Sequence, residues 1–116
     1  MNPQAFHAVA APRRQEILRL VWREERTAGD IHRSLGDVTF GAVSQHLRVL
    51  REAGLVTLRG EGRSRLYAAR KEELGPLREW LEQMWASSLY RLKIQAEMED
   101  ARRGPKPGKS KRRRRK

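Results

Sequence analysis

The sequence predicts a mainly α-helical chain with one small β-hairpin. Three stretches predict it. Residues 39–56 carry Val43, Leu47 and Leu50 at helical spacing and stop at Gly54, where a left-handed turn needs no Cβ. Leu55-Val-Thr-Leu-Arg59 and Arg65-Leu-Tyr-Ala69 alternate like strands on either side of the glycine-rich turn Gly60-Glu-Gly-Arg-Ser64. From Leu74 onward, apolar residues recur at helical spacing as far as Leu92.

Taken in order, Met1 to Ala10 predict a short first helix with Phe6 and Val9 as its apolar contacts. Pro12 suits a helix start, where its missing N–H costs nothing. That second helix runs to about Trp22 and buries Ile17, Leu18, Val21 and Trp22. Ala11 precedes it with no side chain to cap the free amides, a loss of about 1 kcal/mol. Residues 23–26 form a charged connection. The next helix spans Ala28 to Leu35, opened by Thr27 and Asp30 in capping-box spacing, with Ile31 and Leu35 as its apolar edge. Leu35-Gly-Asp-Val38 then turns the chain, with Val38 directed into the core. Thr39 caps the following helix. Gly41 in its first turn costs about 1 kcal/mol against alanine. It signals either close backbone approach to a nucleic acid or tolerance at a frayed end. The outer face of this helix carries Ser44, Gln45, Arg48 and Arg51, which can hydrogen-bond base edges and phosphates in a major groove.

Leu74, Leu77, Leu81, Met84, Ser88 and Leu92 lie close to a two-per-heptad seam, and Trp80 and Trp85 widen it. This predicts one long helix from about Lys71 to Ala101, with Pro76 in its first turn or marking its start. A chain this small cannot cover the whole stripe, so a symmetric partner is the expected cover; the alternative packs the stripe inside one protomer. Gly104-Pro-Lys-Pro-Gly108 breaks the helix, and a basic run follows. The expected organisation is therefore a domain over residues 1–101 and a disordered basic tail over 102–116.

Two helices in tight succession followed by a basic hairpin make a winged helix-turn-helix. The order Ser44-x-His46-Leu47-x-x-Leu50-x-x-Ala53-Gly54-Leu55-Val56, then Gly62-Arg63-x-x-x-Tyr67, resembles the ArsR/SmtB family of bacterial transcriptional regulators. So does Val9-Ala-Ala-Pro-Arg13 followed by Ile17-Leu18. The resemblance covers roughly residues 4 to 95. It implies a homodimeric repressor that binds double-stranded DNA at a palindromic operator. It further implies dimerisation through the terminal helices, at Phe6, Val9, Leu74, Leu77, Leu81, Met84, Trp85, Ser88 and Leu92.

The expected DNA contacts are Thr39, Gly41, Ser44, Gln45, His46, Arg48 and Arg51 on the recognition helix, and Arg59, Arg63 and Arg65 on the wing. Gln45 is the foremost candidate for base readout, because a carboxamide pairs with adenine in bidentate fashion. Arg51 is placed to reach phosphate. His46 lies beside the buried stripe and reads equally as a hydrogen-bonded surface histidine. Tyr67 reads as packing, and Glu61 at the wing tip would repel phosphate.

The family's metal-sensing members place thiolates in the first helix of the motif; here Asp30-Ile-His-Arg-Ser34 offers none. Their other site uses acids and histidines on the C-terminal helix, which here has no histidine. The expectation is a member without metal or other cofactor, released by an unidentified small molecule, a partner protein or nothing specific.

Composition narrows the rest. The chain has 116 residues and no cysteine, so it has no disulfide and no redox-active thiol. No run is long and apolar enough to span a membrane, and no signal peptide is visible, so the expected location is cytoplasmic, at the nucleoid. No nucleophile–base–acid set is visible, so an enzyme is not expected. The net charge is +12, but residues 101–116 hold ten basic residues and no acid, leaving 16 basic against 14 acidic elsewhere. The tail thus carries most of the excess. It adds sequence-independent DNA affinity, contacts another polyanion such as RNA, or only solubilises; the first is favoured. An alternative function follows, an architectural nucleic-acid-binding protein whose tail dominates affinity.

Overall fold

The computed structural model describes residues 3–103. In chain order it contains α1 (Pro3–Val9), α2 (Pro12–Leu20), α3 (Ala28–Leu35), α4 (Phe40–Glu52), β1 (Val56–Glu61), β2 (Ser64–Ala69), a 3₁₀ turn (Lys71–Leu74), α5 (Leu77–Ala86) and α6 (Ser88–Arg103). The chain divides into two compact units, one ending at Trp85 and one beginning at Ala86.

In the first unit α4 is the hub, packing on α1, α2, α3 and β1. Ile17, Leu18 and Val21 meet Ile31, then Val43, Leu47 and Leu50, in one core. Leu55, Leu74 and Leu81 close it from the C-terminal side, each without exposed surface. Val38 packs against this core from the α3–α4 turn.

The helix starts follow local chemistry. Thr27 and Asp30 form the full capping box on α3. Ala11 stands before α2 with no side-chain cap, and Pro12 opens the helix. The end of α4 is a Schellman turn: Leu55 N–H donates to Leu50 carbonyl at 2.9 Å, and Gly54 N–H donates to Arg51 carbonyl at 2.9 Å. Gly54 supports this turn with a φ of 79°.

β1 and β2 pair antiparallel from Val56↔Ala69 to Glu61↔Ser64. β1 starts one residue after the expected Leu55, and toward the turn both strands run further than their alternation suggests, leaving a two-residue loop of Gly62 and Arg63. Gly62 takes a φ of 63°, the glycine-first pattern of a tight hairpin. At its base, Arg26 bridges to Tyr67 through backbone bonds of 3.0 and 2.8 Å. The result is a winged helix-turn-helix.

The expected single helix from Lys71 to Ala101 is instead three pieces. Gly75, with a φ of 56°, and Pro76 separate the 3₁₀ turn from α5. In the second unit, Ser87 precedes α6 and its hydroxyl accepts from Tyr90 N–H at 3.1 Å. That bond caps a new helix in the middle of the apolar stripe. α6 continues to Arg103, two residues past the expected domain end; the remaining tail, 104–116, lies outside the described residues.

Candidate nucleic-acid interface

Two local devices orient the recognition helix. Thr39 accepts a hydrogen bond from Ala42 N–H at 3.0 Å at its start, and the Schellman turn ends it. Between them the 3.6-residue period turns Val43, Leu47 and Leu50 into the core. The same period leaves Gly41, Ser44, Gln45, Arg48 and Arg51 exposed, together with Thr39.

Ser44, Arg48, Arg51 and Glu52 line an open concavity of about 530 Å³ whose far wall is Tyr67 of β2. This trough runs between the recognition helix and the wing. Arg48 Nε donates to Glu52 at 3.3 Å, one helical turn away. Both side chains are exposed, so this pair costs little to break. Arg63 and Arg65 are exposed on the wing, and among the described residues neither they nor Arg51 is in an ion pair.

Two expected contacts are placed differently. Arg59 is held by a bidentate pair with Glu25, at 2.7 and 2.7 Å, and by Glu61 at 3.1 Å. These carboxylates raise its pKa further, and the hydrogen bond from Arg59 lowers that of Glu25. Arg59 thus ties β1 to the α2–α3 connection and is not a free cation for phosphate. His46 is half-buried on the α2 side, its Nδ1 3.3 Å from Arg14 Nη1. It stands three residues from Val43 and four from Leu50, which places it on the flank of the buried stripe. Burial, then the charges of Arg14 and Arg13, lower its pKa. Arg14 also donates to Ala8 carbonyl at 2.8 Å, so His46 belongs to a junction of α1, α2 and α4.

The expected dimer contacts also divide. Val9, Leu74 and Leu81 are buried inside the protomer and have no surface left for a partner. Leu77, Met84 and Trp85 pack partly against the core, and Trp85 meets Trp22 edge-on at 4.8 Å. Phe6 and Leu92 remain 61% and 63% exposed. The Ser88 side chain lies outside the described residues.

Sequence reasoning missed Glu52, Glu25 and Arg14. Glu52 was readable as an i,i+4 partner of Arg48. Glu25 is 34 residues from Arg59, and nothing local announces that pairing. The region matching the family's thiolate motif holds no thiol, and among the described residues no three His, Asp or Glu side chains converge on a common point. These residues do not fit the family's metal sites.

Residues 11–57 match the profile of the bacterial regulatory protein, arsR family. The HTH-type transcriptional regulator Rv2034 of Mycobacterium tuberculosis is 34% identical over 99 residues, covering 84% of this chain and 92% of that protein. The transcriptional regulator HlyU from Vibrio vulnificus is 31% identical, with a TM-score of 0.62 over 72% of this chain and 85% of that one. The homodimeric winged helix-turn-helix DNA-binding domain of Mb0332 from Mycobacterium bovis is 28% identical, with a TM-score of 0.62 over 74% of this chain and 79% of that one.

Proposed function

The chain belongs to the arsR family of bacterial regulatory proteins, a family of DNA-binding transcriptional regulators, and on this premise we propose that it is a homodimeric repressor. The observation that carries this reading is the outward face of α4. It sets the hydroxyl of Ser44 and the guanidinium of Arg48 in a trough bounded by the wing, with the carboxamide of Gln45 exposed next to Ser44 on the same helix. Gln45 reads a base edge, Ser44 and Arg48 support it, and Arg51 contacts phosphate. Gly41 and Thr39 let the backbone approach. Arg63 and Arg65 grip the neighbouring backbone or minor groove from the wing. Arg59 serves by holding the wing in place. Two such helices enter successive major grooves ~34 Å apart on an imperfect palindrome. Repression follows from covering a promoter at the nucleoid, with any effector acting on the dimer.

The homodimeric state of the Mb0332 domain supports the dimer, as do the exposed Phe6 and Leu92. The test is fluorescence anisotropy at about 200 mM salt, where nonspecific contacts are weak. The full chain is expected to prefer its own promoter over scrambled DNA by about a hundredfold, ~3 kcal/mol. Gln45→Ala and Arg48→Ala are expected to erase most of that preference. Equal affinity for both DNAs, lost evenly when residues 104–116 are removed, would instead establish the architectural alternative.

A further inference from the structure

Phe40 opens the recognition helix with its ring half exposed, at 50% of its surface. This ring is not part of the core, to which α4 contributes the fully buried Val43 and Leu47. Nor is the ring loose. His32, in the last turn of α3, meets it edge-on with centroids 5.7 Å apart and planes at 89°. Such edge-to-face contacts fix ring orientation. Phe40 also heads the i,i+4 row that continues through Ser44 and Arg48, both exposed toward the trough. The N-terminal residues of a recognition helix are those that meet base edges. In the major groove the one apolar feature on any base edge is the thymine C5-methyl group.

We propose that Phe40 is a specificity-determining residue that packs on a thymine methyl in each half-site, and that His32 is the positioning residue that holds its ring there. This rests on the DNA-reading role proposed above and names part of the sequence that role selects. The polar neighbours Ser44 and Gln45 read hydrogen bonds; Phe40 adds a position where hydrogen bonding is blind and only the methyl counts.

The experiment begins with selection of binding sites from random duplexes by the full-length protein. Each thymine of the selected site is then replaced by deoxyuridine, which removes the methyl and keeps every hydrogen bond. One symmetry-related thymine pair is expected to respond. Loss of one methyl should weaken binding about fourfold, and loss of both about fifteenfold. Phe40→Ala should bind more weakly than wild type and show no further loss on that substituted DNA. Phe40→Leu should retain part of the response, and His32→Ala should reduce it while Phe40 is still present. A selected site at which every deoxyuridine is neutral for the wild-type protein overturns the proposal and leaves the repressor reading standing. If selection enriches no site at all, the repressor reading fails, and this proposal fails with it. Because the decisive scan uses the unaltered protein, its outcome does not depend on whether a variant folds.

Discussion

Burial and the positive charges of Arg14 and Arg13 hold the His46 imidazole below its ordinary pKa, so the folded protein favours the neutral ring. The unfolded chain takes up a proton at about pH 6.5, before the native protein does. His46 therefore contributes stability that is fully present above the unfolded value and is lost as pH falls through the lower folded value. Arg13 is already engaged by Glu16 and Asp37, and Arg14 by Ala8 carbonyl, so neither cation is free to move aside. The melting temperature of the wild-type protein should fall between about pH 7.5 and pH 5.5. That of His46→Gln should fall less over the same interval. Parallel declines in the two proteins would assign the acid sensitivity to other groups. A histidine given to DNA contact would respond differently: its removal would alter DNA affinity and leave the pH dependence of melting as it was.

The recognition helix and the helix before it were readable because their signals are local. Thr27 and Asp30, then Thr39, then Gly54 mark helix ends within a few residues of the atoms they satisfy. The apolar period between those marks fixed which face of α4 is outward, and hence Ser44, Gln45 and Arg48. Signals of longer range were not readable. Ser87 interrupts a stripe whose spacing continues through it, because one hydroxyl capping Tyr90 N–H starts a new helix there. Leu74 and Leu81 share the spacing of a dimer seam, yet the 3₁₀ turn and α5 direct both into the protomer core. Capping also supplies a quantitative test. Ala11 has extended backbone angles, φ −86° and ψ 127°, which suit a capping side chain it does not possess. Ala11→Asp should stabilise the protein by about 1 kcal/mol, raising the melting temperature by roughly 4–8 °C. Thr39→Ala should lower stability by a similar amount, since Ala42 N–H loses its acceptor. No gain from Ala11→Asp would mean that the α2 amides already find other partners.

A chain of this length buries only a modest core, and what it leaves uncovered indicates how it assembles. Most large apolar side chains of the first unit are enclosed, but Phe6 is 61% exposed on α1. In the second unit Leu89 and Leu92, three residues apart and so on one face of α6, are 80% and 63% exposed. Two leucines side by side in water form an apolar face that, in the proposed dimer, a second copy of the same helix would cover, since a two-fold axis presents each patch to its own image. Leu92→Glu puts a carboxylate at that axis, close to its symmetry mate. Sedimentation velocity should show the wild-type protein as a dimer and the variant shifted to monomer, with an unchanged helical circular dichroism spectrum. The DNA consequence follows from linkage. A dimer gains from two half-sites at once, whereas a monomer binds each alone and loses the effective concentration the interface provides. Operator affinity should therefore fall at least tenfold, while binding to a single half-site should change little. A Leu92→Glu protein that stays dimeric and keeps its operator affinity would move the interface away from this face of α6. A wild-type protein that is monomeric at the concentrations where it binds its operator would remove the dimer from the mechanism altogether.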